Sequence, residues 1–332
     1  MVRAVTSLLQ KEALGRGIPY PPPLFFLYGE GLAHNIQQAI NNKAISGIKI
    51  SRNGPVINHL FFADDSIIFT EAAHSSVMRL KRLLQAYDEK SVQLINFTKS
   101  AVLFSRNTEQ SQRQYLSTLL QVQNINSEST YMGLPPFILR SKKESFEAII
   151  KKIQQALAIV SAIPIYSMMF FKLPLLLSKR INSLMARFWW GRDISQKGIN
   201  WIAWNRMTKS KWEGGLDFKD FTFFNQALLA KQGWRILNNK DSLLSQVLKG
   251  RYFCNKSIWE AKKTSSSSWG WQSLLYGLIL LKKGIRWQIS SGRETKTMED
   301  PWIPRGYPLT PHLQEGIEKS HVPPLVQGLM IH

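Results

Sequence analysis

The chain has 332 residues, 44% hydrophobic, 11% aromatic and 20% charged, a globular composition that excludes disordered, collagen-like and coiled-coil chains and allows two or three domain cores. The 43 Lys and Arg against 22 Asp and Glu give a net charge of +21 and a pI near 10.1, which calls for a polyanionic partner, nucleic acid fitting best. A single cysteine, Cys254, excludes an internal disulfide and a cysteine-rich zinc site and fits a reducing compartment, and His34, His59, His74, His312, His321 and His332 are scattered without metal-ligand spacing.

The N-terminal run MVRAVTSLLQKEALGRGIPY has a short apolar patch broken by Lys11 and Glu12, and it lacks the apolar core and cleavage site of a signal peptide. It reads as a start within a protein. A proline-rich run leads into a predicted helix over 24–42, with Phe25, Leu32, Ile36 and Ile40 near helical spacing. Strands are predicted at 47–51 and 56–62 around an Asn53-Gly54-Pro55 turn, and at 66–70. Ala63, Asp64 and Asp65 then form the tip of a hairpin. Helical periodicity returns over 74–90 through Val77, Leu80, Leu83, Leu84 and Tyr87, and 101–104 reads as a last short strand. From Ser141 onward the pattern is mostly helical, with loops at Gly214-Gly215 and at 265–268. The most apolar run, 158–177, approaches bilayer length, but Lys172, Pro164 and Pro174 interrupt it. A buried helix pair around a proline bend fits better than a membrane span.

The basic excess is regional. Residues 1–139 hold 13 Lys/Arg and 9 Asp/Glu, whereas 140–300 hold 28 and 11, a net +17. All eleven tryptophans lie in this second half, next to cations in FWWGR, NWIAWNR, SKWEGG and KQGWRIL. Such interleaving suits phosphate contacts with base stacking; it also suits a helical core with a solvated cationic face.

Phe61-Phe62-Ala63-Asp64-Asp65-Ser66-Ile67-Ile68-Phe69 sets two carboxylates inside an apolar hairpin. Adjacent like charges repel, so either water solvates them in a turn or a cation neutralises them. Oxygen ligands of this kind select Mg²⁺, and paired Mg²⁺ ions about 4 Å apart carry out nucleotidyl transfer. Neighbouring strand residues face opposite ways, so Asp64 and Asp65 need a twisted turn and a third carboxylate from a neighbouring strand.

The stretch from Gly47 to Phe69 resembles the catalytic hairpin of reverse transcriptases. Residues 31–104 look like the palm of plant non-LTR (LINE-type) retroelement reverse transcriptases, and the resemblance extends over 15–305. It continues through YMGLP at 131–135, FKLP at 171–174, FWWG at 188–191, EGGLDF at 213–218, ALLAKQGWRI at 227–236, LKGRYF at 248–253, LLKKGIRW at 280–287 and EDPWIP at 299–304. The resemblance implies that Asp64 and Asp65 are the catalytic, Mg²⁺-binding pair. It also implies that Gly17 and Pro19 lie beside nucleotide and template, in a turn whose family Gln and Asp are replaced here by Arg16 and Ile18. Lys99 takes the place of a lysine near the nucleotide phosphates, or is an exposed strand-end lysine.

The implied fold is α+β: a partial right-hand palm of antiparallel strands with packed helices, then a mostly helical region. The expected divisions are an N-terminal stub at 1–14, the partial palm at 15–105 and a thumb-like helical segment at 106–190, shortened between Leu157 and Ile163. A basic, Trp-rich helical region at 191–305 and a tail at 306–332 follow. The family takes its other essential aspartate from a strand upstream of the Gly17 region, where this sequence has no Asp, and Val92 replaces a usual glycine. The expectation is an RNA-directed DNA polymerase by descent, inactive as this chain. The alternative is a non-enzymatic nucleic-acid-binding fragment. Either way the expected partners are RNA and DNA with little sequence preference, with no membrane, inside the cell in nucleus or cytoplasm.

Overall fold

The computed structural model describes residues 4–13, 22–62, 65–91, 93–105, 107–124, 165–191, 199–285 and short stretches between 289 and 329. The strands are β1 Ala4–Ala13, β2 Ile48–Lys49, β3 Val56–Ile57, β4 His59–Phe62, β5 Asp65–Glu71, β6 Gln93–Phe104 and β7 Gln123–Asn124. The helices are α1 Pro22–Asn41, α2 His74–Lys90, α3 Gln110–Leu120, α4 Ile165–Phe170, α5 Leu175–Trp189, α6 Trp204–Met207, α7 Phe221–Asn238, α8 Leu243–Tyr252 and α9 Trp269–Gly284. The fold is α+β. It divides into two units, Met1–Phe137 with Asp241–Ile258, and Ile138–Lys240 with Trp259–His332.

In the first unit a five-stranded sheet runs β4-β5-β1-β6-β7. β1 is antiparallel to both β5 and β6, β4 and β5 form a hairpin, and β7 adds in parallel to β6. β5 alternates half-buried and buried residues along its whole length, the period-2 signature of a strand with one face on a core. That core takes Leu32 and Ile36 from α1, Ile68 from β5, Leu80, Leu84 and Tyr87 from α2, and Ile95 from β6. Leu32 and Ile36 stand one helical turn apart and are fully buried, as the spacing predicts. A second cluster joins Val77 and Val102 to Leu116, Leu120 and Val122 under α3. α8 belongs to this unit because Gly250 packs on the 53–54 turn, where an added Cβ would fall 2.7 Å from the Asn53 carbonyl oxygen. Asn53 Nδ2 donates to Cys254 Sγ at 3.3 Å.

The expected strand 56–62 divides into β3 and β4, which belong to different sheets, and β7 stands where no strand is expected; two larger differences lie in the main sheet. Residues 4–13, where no element is predicted, form the central strand β1. β6 begins at Gln93 rather than 101. The ladder explains both. Between Leu8 and Gln10 the β1 register jumps from Ala101 to Asn96, so residues 97–100 bulge from β6. The Leu8-Leu9 pair and the polar residues of the bulge break the period-2 pattern that would announce each strand.

In the second unit α7 is central and packs against α4, α5 and α9. α9 crosses close: a Cβ on Gly277 would lie 2.4 Å from the Leu229 carbonyl carbon and 2.6 Å from the Ala230 nitrogen. Met168, Ile181, Leu229 and Trp271 are each no more than 1% exposed. The Phe171–Pro174 turn between α4 and α5 realises the expected proline bend. Buried Asn225 of α7 holds it, accepting from Leu173 N–H at 2.9 Å and donating to the carbonyls of Met168 at 2.8 Å and Phe171 at 3.0 Å. Ser273 Oγ of α9 accepts from Lys172 N–H at 2.8 Å. Asp220 caps α7 by accepting from Thr222 N–H, and Asn182 of α5 donates to its other oxygen at 2.9 Å.

Candidate nucleic-acid interface

The acidic hairpin joins β4 to β5. Phe62 pairs with Asp65 across β4 and β5, so Asp65 is the first residue of a strand rather than part of the turn. It is half-buried. On its other side Asp65 pairs with Gln10 of β1, and Gln10 with Asn96 of β6. A row across three strands therefore carries one carboxylate and two amides. Lys99 lies in the β6 bulge just past this row. With strands about 4.8 Å apart, that bulge is roughly 10 Å from β5. Asp65 and Lys99 thus come to one region of the sheet by strand position. Asp64, Gly17 and Pro19 lie outside the described residues.

Among the described residues no group of three or more His, Cys, Asp or Glu is arranged to hold a metal ion. The residue paired with Asp65 on β1 is Gln10 rather than Asp or Glu, and Mg²⁺ favours carboxylate oxygen. The described residues do not by themselves fit a Mg²⁺ site.

The second unit has a different surface chemistry. Segments 165–191, 221–240 and 269–285 contain α4, α5, α7 and α9, and they carry nine Lys/Arg and no Asp or Glu. Eight of the nine, Lys172, Lys179, Arg180, Lys231, Arg235, Lys240, Lys282 and Lys283, are exposed, and Arg187 is half-buried. On α7 the exposed residues Phe223, Ala227, Lys231, Trp234 and Arg235 recur at helical spacing on one face, opposite buried Phe221, Asn225, Leu229, Gln232 and Ile236. Phe223 is 73% and Trp234 48% exposed. Lys172 Nζ sits 3.8 Å over the Tyr276 ring, an arrangement that holds an ammonium in place without neutralising it.

The tryptophans divide between the two sequence readings. Trp271 is core, at 1% exposure, whereas Trp189, Trp201, Trp212 and Trp234 are exposed. Trp189 and Trp204 both contact Phe218, with ring centroids at 5.0 Å and 5.6 Å. Phe223 belongs to no sequence motif, although its spacing of eleven residues from Trp234, three helical turns, places both on the face of Lys231. A surface of cations among bare aromatic faces attracts phosphate and offers platforms for flat apolar groups. No helix among the described residues is long and apolar enough to cross a membrane.

No protein-family model matches the chain. It is 42% identical over 151 residues to "Uncharacterized mitochondrial protein AtMg00310" of Arabidopsis thaliana, covering 45% of this chain and 98% of that protein. It is 33% identical over 156 residues to "Putative ribonuclease H protein At1g65750" of the same plant, covering 46% of this chain and 25% of the relative. A third Arabidopsis protein, "Uncharacterized mitochondrial protein AtMg01250", is 43% identical over 55 residues, 17% of this chain and 45% of its own length. The chain thus spans a quarter of the second relative and under half of the third, but nearly the whole of the first at high identity, and it belongs to the family of the Arabidopsis mitochondrial protein AtMg00310.

Proposed function

We propose that the chain derives from the reverse transcriptase of a plant non-LTR retroelement and acts as a nucleic-acid-binding protein that carries out no polymerisation by itself. Descent is supported by the ordered motifs from the Asp64-Asp65 hairpin to EDPWIP and by the place of Asp65 at the start of a hairpin strand beside a central antiparallel strand. One relative is named a ribonuclease H protein, which is in keeping with a nucleic-acid-handling ancestry. In this reading the partial palm at 15–105 lies within the first unit, which also takes in 106–137 and 241–258, and most of the thumb-like and basic regions lies within the second.

The observation that carries the binding function is the helical surface with nine cations and no carboxylate in its helices. Helices that share one core and carry a single sign of charge sum their fields at the surface. RNA and DNA of unrelated sequence should bind with similar affinity, since phosphate contacts carry no sequence information. The pairing of Asp65 with Gln10 rather than with a carboxylate on β1 supports a chain that does not carry out two-metal nucleotidyl transfer by itself.

The test is anisotropy titration of the full chain with unrelated RNA and DNA oligonucleotides over a range of salt. A slope of log affinity on log salt steeper than about −3 is expected, for at least four phosphates neutralised. Salt-independent binding, or none at low salt, refutes the reading. Primer extension on an RNA template is expected to show no synthesis above the Asp64→Ala/Asp65→Ala variant. Synthesis lost in that variant would refute the non-catalytic part.

A further inference from the structure

Trp212 is 99% exposed, on the 3-10 turn Lys211–Glu213. A bare indole at a loose loop tip would mean little, but this tip is built. Met207, itself 1% exposed, accepts at its carbonyl from Leu216 N–H at 3.0 Å and Phe218 N–H at 3.2 Å. Lys209 accepts from Asp217 N–H at 3.0 Å, Ser210 from Gly215 N–H at 2.9 Å, and Lys211 from Gly214 N–H at 3.1 Å. Gly214 takes φ +77°, which favours glycine. A Cβ on Gly215 would lie 2.0 Å from the Lys209 carbonyl oxygen, so the loop closes only over glycine there. At the base Phe218 packs on Trp189 and Trp204. The 207–218 loop is therefore a hydrogen-bonded scaffold that holds a large apolar ring in water.

The surroundings of that ring select its occupant. Four exposed cations, Arg206, Lys209, Lys211 and Lys219, flank it and outnumber the two exposed acids of the loop, Glu213 beside it and Asp217. Trp201, 78% exposed, lies on the segment leading into the same loop. A partner must therefore present negative charge and a flat apolar face together. Single-stranded nucleic acid does so at every nucleotide, whereas a duplex presents the phosphates but hides the faces of its bases.

We propose that Trp212 is a stacking residue for an unpaired base of single-stranded RNA or DNA, with Lys209 and Lys211 on the adjoining phosphates. This rests on the nucleic-acid-binding reading above and adds to it a preference for single strands and the residue that produces it. The side chain touches almost nothing in the protein, so its removal should leave the fold intact.

The test uses the full chain and its W212A, W212F and Lys209→Gln/Lys211→Gln variants, with an unstructured RNA as probe, alone or annealed to its complement. W212A should weaken single-strand binding about tenfold or more, the loss of one base stack, while duplex binding and the denaturation midpoint stay at wild type. W212F should retain most of the single-strand affinity, and the double lysine variant should lower the salt slope by about 1.4. Equal binding of wild type and W212A, or equal loss on single strand and duplex, would overturn the stacking role while leaving the general binding reading intact. Absence of any nucleic-acid binding by the wild type would overturn both. A lower midpoint in W212A, or an effect confined to anionic vesicles or to self-association, would assign the ring to packing, membrane or protein contact and overturn the inference.

Discussion

Asn225 is the polar keystone of the second unit, and its replacement gives the sharpest test of how that unit is held together. The side chain is 2% exposed and makes three hydrogen bonds to the α4–α5 turn, one as acceptor and two as donor. Asn225→Ala orphans one N–H and two carbonyls inside the core, at about 1–3 kcal/mol for each group that finds no water. Partial relaxation brings the sum to about 3–5 kcal/mol, a large share of the 5–15 kcal/mol typical of a domain. Asn225→Asp keeps the shape and the acceptor but turns a carboxylate toward two carbonyls, so it should cost as much at neutral pH and less in acid, where protonation restores one donor. Tryptophan emission is the assay: all eleven tryptophans fall in the second unit, so the signal follows that unit alone. With an m-value of about 1–3 kcal/mol per molar in urea, the midpoint should fall by more than about 1 M. Wild-type midpoints in both variants, or an Asp variant with no recovery in acid, would show that the turn is held by something else.

Two further outcomes follow from packing and charge. Gly277→Val drives a branched side chain into the α7 backbone at Leu229 and Ala230, so it should lower the same midpoint by at least the 1–3 kcal/mol of ordinary overpacking; an unchanged midpoint would mean that α9 does not cross α7 this closely. Asp88 of α2 is pushed above the usual carboxylate range by burial, partly offset by the Ile95 N–H donating to it at 3.1 Å. A raised folded-state pKa means that stability is fully present below the unfolded-state value and is lost as pH rises through the folded one. Asp88→Asn keeps the acceptor without the charge, and should therefore raise the midpoint at neutral pH, with the gain vanishing in acid. Far-UV circular dichroism must follow it, because the first unit has no tryptophan; a lower midpoint at neutral pH would contradict the sign.

What could be read from sequence was what periodicity controls. α1 and α2 fall within a residue or two of their predicted ends, and the β4–β5 hairpin stands where alternation and the acidic tip put it, because each buries one face on one core. β1 was illegible for the opposite reason: neither of its alternating sets, Val5, Ser7, Leu9 and Lys11 or Thr6, Leu8, Gln10 and Glu12, is apolar throughout, so it has no period to detect. The basic surface was legible as a count but not as an arrangement. Trp212 and Trp271 both lie in short polar, glycine-containing contexts, yet one is almost wholly bare and the other buried. The difference lies in whether a tertiary neighbour covers the ring, which composition does not encode.

The carboxylates of the second unit are segregated from its core helices. Ahead of α7 the acids are Glu213 and Asp217 in the 207–218 loop and Asp220 at the α7 N-cap, and just past its end stands Asp241. Asp220 has defined structural work, accepting from the first turn of α7 and from Asn182, and a carboxylate there also complements the helix dipole. Asp217 occupies a left-handed backbone position at φ 55°, which Asp tolerates better than most residues. The helices that bury the core carry none. Net charge alone would be the same if carboxylates and lysines were shuffled along the chain, but the surface field would not be, since opposite charges at i, i+4 on a helix cancel locally. Separating acids that cap and turn from helices that carry only cations gives this strongly basic protein a single-signed helical surface, and that segregation bears on nucleic-acid binding more directly than the pI does.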